Sequence, residues 1–145
     1  MPTPSKHFVT AIIVSHNGAM WLPEVVASLA KQRREIDQLI AIDTGSEDSS
    51  VKLLKSAGIP TVVTDRETGF GAAINEALAH SKLRRAPEGC TEWLWLIHDD
   101  CAPAAHALGE LLSAVDERPN VAMRAKIARL ARSESFARSW SKYRR

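Results

Sequence analysis

Short apolar segments and amphipathic segments alternate along the first 120 of the 145 residues. Four segments carry the short runs of Val, Ile, Leu and Trp that are typical of buried strands: residues 8–15, 37–43, 60–64 and 92–97. Four more segments place apolar residues at helical spacing: residues 19–31, 46–57, 70–83 and 103–115. We predict that Ser46 caps the second helix and that Pro103 opens the fourth.

Strands that alternate with helices usually pair in parallel, through right-handed crossover connections. We therefore predict an α/β fold: a Rossmann-like, open and mostly parallel sheet with helices on both faces. The chain is long enough for one domain with a substantial core. After Asn120 the alternation stops, and the remaining residues show weak helical spacing and no predicted strand. The sequence thus divides into a domain at 1–120 and a tail at 121–145.

Composition narrows the class of protein. A hydrophobic fraction of 45% and a charged fraction of 25% are ordinary for a soluble globular domain. No apolar run approaches the roughly 20 residues that span a bilayer, and the first residues lack the apolar region of a secretory signal. Cys90 and Cys101 form no CxxC pair, which argues against a zinc site or a disulfide framework. We expect a cytoplasmic protein.

Charge is distributed unevenly between the two parts. Residues 121–145 hold eight of the 19 Lys and Arg residues but only one of the 17 Asp and Glu residues. Basic tails can bind nucleic acid or anionic membranes. More often they are solvated chain ends, so we expect no nucleic-acid partner.

Polar residues gather directly after three of the predicted strands. In an open parallel sheet the carboxyl ends of the strands share one rim, and ligands bind in the crevice there. Three polar clusters on one rim indicate a site more strongly than any one of them alone. The clusters are Ser15-His16-Asn17 after the first strand, Asp43-Thr44-Gly45-Ser46 after the second and His98-Asp99-Asp100 after the fourth.

The residue types suggest a chemistry for this rim. Adjacent carboxylates such as Asp99 and Asp100 suit a hard divalent cation, Mg²⁺ or Mn²⁺, whose other positions stay open to water and phosphate oxygens. Such a cation neutralises a leaving diphosphate. Asp43 could accept hydrogen bonds from a base or ribose. A base pocket could be lined by Ser15, His16 and Asn17.

Each cluster also has a purely structural interpretation. Asn17-Gly18 and Thr44-Gly45 are common turn sequences. Asp99 and Asp100 could instead supply favourable negative charge at the start of the fourth helix. The joint placement of the clusters on one rim favours a binding site over these alternatives.

The glycines at the start of the third helix do not form a dinucleotide motif. The segment Gly69-Phe70-Gly71-Ala72-Ala73-Ile74 matches only the first two glycines of that fingerprint, and it follows the third strand rather than the first. The sequence also contains neither a P-loop motif nor a GxSxG elbow. The glycines could bring the helix start close to a phosphate or close to the first strand, and both alternatives stay open.

Four segments together resemble the nucleotide-sugar-binding portion of an inverting family 2 glycosyltransferase of the GT-A fold. VTAIIVSHNGAMWLPEVVASLAKQ resembles the opening strand, turn and helix of the family, and LIAIDTGSEDSS resembles its V-D-[DN]-G-S-x-D-x-S element. GFGAAINEAL is similar to a helix start of rhamnosyl- and galactofuranosyl-transferase-like members. WLWLIHDDCAP looks like the strand that carries the DXD-type metal motif. The resemblance covers about residues 8–120.

The resemblance implies a role for each matching residue. Val14, Ser15, His16 and Asn17 would flank the nucleobase, and Asp43 would hydrogen-bond to it. The backbone near Gly71 and the side chain of Asn75 would position the donor. Asp99 would contact the ribose or the sugar and share the metal site with Asp100, the main ligand of Mn²⁺ or Mg²⁺. The implied reaction transfers a sugar from a nucleotide-diphosphate donor to an acceptor hydroxyl, with inversion.

The sequence departs from the family pattern in three ways. His98 stands where many members have the first Asp of the metal motif, and Thr44 replaces an Asp or Asn. Nothing after Asn120 resembles the acceptor-binding stretch of the family, so the chain looks truncated and no catalytic base can be named. An alternative function is a non-catalytic module that binds nucleotide or another protein.

The incomplete pattern also leads to expectations about partners. Half of a crevice would leave apolar surface uncovered, so we expect a homo-oligomer. The acceptor, a glycan or a lipid-linked molecule, is not identified by the sequence. Association with a membrane in a longer form stays open.

Overall fold

The computed structural model describes residues 6–80, 83–118, 123–124 and 127–129. All four predicted strands and all four predicted helices are present, and two short strands follow them. The strands are β1 (His7–Ser15), β2 (Gln38–Thr44), β3 (Thr61–Thr64), β4 (Thr91–His98), β5 (Met123–Arg124) and β6 (Ile127–Arg129). The helices are α1 (Leu22–Ala30), α2 (Ser50–Ser56), α3 (Phe70–His80) and α4 (Ala107–Glu117).

The six strands form one sheet in the order β3-β2-β1-β4-β6-β5. β1 pairs in parallel with β2 and β4, and β2 pairs in parallel with β3. β6 is antiparallel to β4. This confirms the predicted open, mostly parallel α/β sheet. Because β1 lies between β2 and β4, the loops after these three strands are neighbours at one rim.

Helices cover both faces of the sheet, as predicted. Val9, Ala11 and Ile13 of β1 pack towards α1, α2 and α4. Ile12 and Val14, which alternate with them, pack against α3 on the other face. A strand buried on both faces reads as a continuous apolar run, which is why FVTAIIV shows no alternation of polar and apolar residues.

Three of the predicted helix starts are wrong: α1 begins at Leu22 rather than Ala19, and α2 and α4 each begin four residues later than predicted. α2 begins at Ser50 rather than Ser46, and its N-cap is Ser49, which makes no side-chain capping bond. The Ser46 hydroxyl instead donates a hydrogen bond to Asp43. α4 begins at Ala107, so Pro103 lies in the loop before the helix. In both places a longer loop at the rim takes up residues that the periodicity assigned to a helix.

The prediction that no strand follows Asn120 is also wrong. β5 and β6 add two strands of two and three residues to the edge of the sheet beside β4. Strands this short carry too few residues to show a period of two, which explains why the pattern missed them. The other residues of the predicted tail lie outside the described ranges.

No helix in the described part of the chain is long and apolar enough to cross a membrane. The longest described helices, α3 and α4, have 11 residues each. At about 1.5 Å per residue they fall well short of the roughly 30 Å of a bilayer core.

Candidate functional site

The loops after β1, β2 and β4 meet at the carboxyl rim of the sheet, where the sequence predicted them. Asp99 makes the contact between the loop after β1 and the loop after β4. Its Oδ2 accepts a hydrogen bond of 2.8 Å from the backbone N–H of His16. The two residues are 83 positions apart in the sequence, so this bond fixes one strand end against another.

Gly18 is the residue that lets Asp99 approach the first loop. A Cβ atom placed on Gly18 would lie 2.3 Å from Asp99 Oδ2 and 2.6 Å from its Cγ. Real Cβ atoms do not approach other atoms this closely, so any other residue would push the carboxylate away. The sequence alone indicates only a turn at Gly18. A glycine is needed at this position because the Asp99 carboxylate lies close to its Cα, and not because of the turn itself.

The loops after β1 and β2 are joined by a second set of hydrogen bonds. The backbone N–H of Asn17 donates to Ser46 Oγ at 2.8 Å, and Asn17 Oδ1 accepts from the Glu47 N–H at 2.8 Å. His16 Nδ1 lies 2.9 Å from the Thr44 carbonyl oxygen. Since a carbonyl only accepts, this ring nitrogen must carry the proton. Asn17 has a φ of 49°, a left-handed conformation that asparagine tolerates better than most residues.

Asp43, which the resemblance assigned to hydrogen bonding with the nucleobase, lies inside the turn after β2. The residue is completely buried, and its Oδ2 accepts a hydrogen bond of 2.6 Å from Ser46 Oγ. Its Oδ1 accepts a second bond, of 2.8 Å, from the Ser46 N–H. A carboxylate enclosed in this way holds the turn and has no exposed oxygen for a base or ribose. The spacing of Asp43 and Ser46 is that of a side-chain-bonded turn, a signal that the sequence already contained.

Two residues that the sequence analysis placed only in the second helix also hold the first loop. Ser50 Oγ accepts a hydrogen bond of 2.9 Å from the Gly18 N–H, and Asp48 Oδ2 accepts one of 3.0 Å from the Ala19 N–H. Asp48 Oδ1 also accepts a hydrogen bond of 2.5 Å from Ser50 Oγ. This hydroxyl bond, more than the backbone bonds from Ser50 and Ala19, holds the pKa of the Asp48 carboxyl below its usual value. Neither role could be read from periodicity.

Val14 and Ser15 lie beneath the rim rather than on it. Val14 packs against α3, and Ser15 is completely buried. Ser15 Oγ has no hydrogen-bond partner in the described part of the chain. Their side chains therefore lie under the loops that form the rim. His16 and Asn17, in contrast, are exposed.

The start of α3 borders the rim next to the end of β4. The ring of Phe70 stacks on the ring of His98, with centroids 4.7 Å apart and an angle of 18° between the planes. Gly71 has open space around its Cα, and Asn75 is exposed one turn further along the helix. These two predicted residues thus stand at the edge of the site.

The carboxylates at the end of β4 offer the donors that a hard cation prefers. Asp100 is exposed and makes no hydrogen bond or ion pair with the described residues. Asp99 uses one oxygen to hold His16 and leaves the other available. Within the described ranges, no group of three or more His, Cys, Asp or Glu side chains could hold a metal ion by itself. The oxygen donors therefore fit a cation that takes its remaining ligands from water or a bound phosphate.

An open, mostly parallel α/β sheet with helices on both faces belongs to the doubly wound class, in which ligands bind at the carboxyl rim. The family model described as glycosyl transferase family 2 matches residues 10–143. The chain therefore belongs to glycosyl transferase family 2. The match continues past residue 120, so it includes most of the segment that the sequence analysis separated as a tail.

Proteins and solved structures that are similar to this chain are much longer than it. A TPR repeat-containing protein of Synechococcus elongatus is 31% identical over 109 residues, which are 75% of this chain and 24% of that protein. S. aureus TarS 1–349 has a TM-score of 0.58 at 19% identity, with 77% of this chain and 33% of TarS covered. Glucosyl-3-phosphoglycerate synthase of Mycobacterium tuberculosis has a TM-score of 0.53 at 18% identity, with 68% of this chain and 36% of the synthase chain covered. The chain thus spans a quarter to about a third of these proteins.

The close approach at Gly18 predicts the effect of a single methyl group. In Gly18→Ala, the new Cβ collides with the Asp99 carboxylate and breaks its bond to His16. We expect a loss of about 1–3 kcal/mol in unfolding free energy, the usual cost of overpacking. Urea denaturation measures this loss. Gly109→Ala is the control, because a Cβ there meets nothing within 4 Å; equal stability of Gly18→Ala and wild type would contradict the contact.

The lowered pKa of Asp48 predicts how stability changes in acid. A carboxyl whose pKa is lowered by folding stabilises the protein above the pKa that it has in the unfolded chain, and this contribution is lost as the pH falls through the folded pKa. Asp48→Asn should therefore be less stable than wild type at pH 7, with a smaller difference at pH 3. Urea denaturation at both pH values measures it. If the difference in unfolding free energy between wild type and Asp48→Asn stays constant or grows in acid, the lowered pKa of Asp48 is contradicted. The control is Glu88→Gln, which changes an exposed carboxyl group.

Proposed function

We propose that this chain is the donor-binding portion of a transferase that moves a sugar from a nucleotide diphosphate to an acceptor hydroxyl. The observation that carries the proposal is the bond from the His16 N–H to Asp99, which brings the Asp99-Asp100 turn against the loop after β1. Related folds support the choice of ligand. TarS has been crystallised in complex with UDP and with UDP-GlcNAc, and the mycobacterial synthase in complex with UDP.

In this proposal the exposed residues of the rim bind the nucleotide and the buried ones hold them in place. His16 and Asn17 stand where the base or ribose would lie, and the backbone of Gly71 and the side chain of Asn75 bound the donor on the side of α3. Asp99 contacts the ribose or the sugar with the oxygen that His16 does not use. The supporting residues under the rim are Val14, Ser15 and Asp43.

Asp100, with the second oxygen of Asp99, is the proposed binding site of a Mg²⁺ or Mn²⁺ ion. The mycobacterial synthase supports this choice, because its structures include one with Mg²⁺ and UDP and one with Mn²⁺ and UDP. When bound, such an ion supplies positive charge that stabilises the departing diphosphate. Asp100 is suited to the role because its carboxylate is exposed and makes no hydrogen bond with the described residues that would have to break before the ion binds.

The proposed reaction is a direct displacement with inversion. The acceptor oxygen forms a bond to the anomeric carbon while the bond from that carbon to the diphosphate oxygen breaks. A base takes the proton of the acceptor hydroxyl. We assign no residue to that base, and the acceptor remains open between a glycan and a lipid-linked molecule. The rim of this chain accounts for the donor side of the reaction.

Titration calorimetry tests the donor site directly. We expect UDP or dTDP to bind with Mn²⁺ present, since the resemblance to rhamnosyl- and galactofuranosyl-transferases points to these bases, and GDP to bind less well. In Asp100→Ala the metal-dependent part of the affinity should fall by at least about tenfold, or roughly 1.4 kcal/mol.

The matched control is Asp65→Ala, which removes an exposed carboxylate from the loop after β3. It should bind the nucleotide as wild type does. Binding that is unaffected by both Mn²⁺ and Asp100→Ala would overturn the metal site. No binding of any of the three nucleotides would favour the alternative, a module that interacts with another protein.

We also propose that the chain forms a homo-oligomer through apolar surface. A pocket of about 370 Å³ supports this, because its lining is almost entirely apolar and includes Trp95 and Ile97 of β4 and Leu111 of α4. Sedimentation velocity should therefore give a species of at least twice 15.9 kDa. Leu111→Glu should shift the population to the monomer, and a monomeric wild type at all concentrations would refute the proposal.

A further inference from the structure

The loop that follows Asp99 and Asp100 has little structure of its own. Between Cys101 and His106 the chain forms no helix or strand, and α4 begins only at Ala107. The N-cap residue of α4, His106, makes no side-chain capping bond. The first N–H groups of a helix need partners from outside the helix. The loop and the helix start must therefore be fixed by another part of the fold.

That part is the side chain of Gln32, just after α1. Gln32 is 6% exposed, and its Nε2 donates a hydrogen bond of 2.7 Å to the carbonyl oxygen of Ala104 in the loop. Its Oε1 accepts a bond of 3.1 Å from the N–H of Leu108 in the first turn of α4. A longer bond of 3.3 Å runs from Nε2 to the Ser28 carbonyl oxygen of α1. One buried amide thus joins the end of α1, the loop and the start of α4.

A neighbouring backbone bond strengthens the same connection. The N–H of Arg33 donates to the carbonyl oxygen of Ala105 at 2.8 Å. The loop is therefore held at two successive carbonyls, four and five residues after Asp100. On its other side, Asp99 is held by His16. Asp100 lies between these two fixed points and has no described bond of its own.

We infer that Gln32 is a positioning residue for the Asp99-Asp100 turn, and that it controls metal-dependent nucleotide binding without touching the ligand. The inference rests on the proposed function for its binding step. Its structural step, that the Gln32 amide orders the loop, stands without a ligand. Because the amide uses its donor and its acceptor in different elements, a side chain of the same shape with only one of these functions cannot replace it.

The test uses Gln32→Glu, which keeps the shape and the acceptor but removes the N–H donors. The matched control is Gln38→Glu at the opposite end of the sheet. Gln38 is half-buried, whereas Gln32 is buried, but it also uses both ends of its amide, donating to Thr10 Oγ1 at 2.7 Å and accepting from the Arg84 N–H at 3.1 Å. Gln32→Met, which has neither donor nor acceptor but a similar volume, replaces Gln32→Glu if that variant does not fold.

Two measurements are made on each variant. Hydrogen exchange of the protein without ligand should show amides 99–108 exchanging about tenfold faster, or more, in Gln32→Glu than in Gln38→Glu. Calorimetry should show the affinity for UDP with Mn²⁺ falling by about tenfold in Gln32→Glu, with the affinity for UDP alone changed less than about twofold.

Each outcome decides one of the two claims. Unchanged exchange at 99–108, or equal losses in both Glu variants, would overturn the role of Gln32, since the amide would then contribute only to overall stability. Unchanged affinity in Gln32→Glu together with faster exchange would overturn the link to binding. A wild-type chain that does not bind UDP would overturn the proposed function, while the exchange data would still decide whether Gln32 orders the loop.

Discussion

The site depends on one hydrogen bond, from the backbone of His16 to Asp99 across two neighbouring strands. It forms only because Gly18 has no Cβ, which leaves room for the carboxylate against the loop after β1. The bond occupies one oxygen of Asp99 and leaves the second oxygen, with the exposed carboxylate of Asp100, facing the rim. A packing constraint at a glycine thereby sets where negative charge is exposed at the rim.

The carboxylates of the rim have different roles, and the role of each depends on how deeply it is buried. Asp43 is fully enclosed and satisfied by Ser46, and Asp48 holds the backbone of the first loop together with Ser50. Burying a carboxylate is costly unless it is hydrogen-bonded, so these two are best understood as parts of the frame. Asp100 has no such partner among the described residues, so its carboxylate is available for the cation that we propose. The site is thus built from a polar frame and a small exposed binding edge.

The sequence predicted the architecture well because the apolar runs of β1 and β4 leave little choice about what is buried. It also predicted that the loops carrying His16 and Asp99 meet, since parallel strands share one rim. It could not predict which acid is exposed, because Asp43 and Asp100 both stand at the end of a strand and differ only in what surrounds them. It missed β5 and β6, which are too short to have a period, and Gln32, whose partners lie more than 70 residues away.

The most direct test of the account is to map where UDP binds, by following the amide resonances of the labelled protein as UDP and Mg²⁺ are added. The account predicts that the amides of His16, Asn17, Asp99 and Asp100 shift together, while those at the amino end of the sheet, such as Lys6 and Asp116, stay unchanged. Shifts confined to the amino end, or no shifts at millimolar UDP, would contradict the claim that the three loops form one nucleotide site.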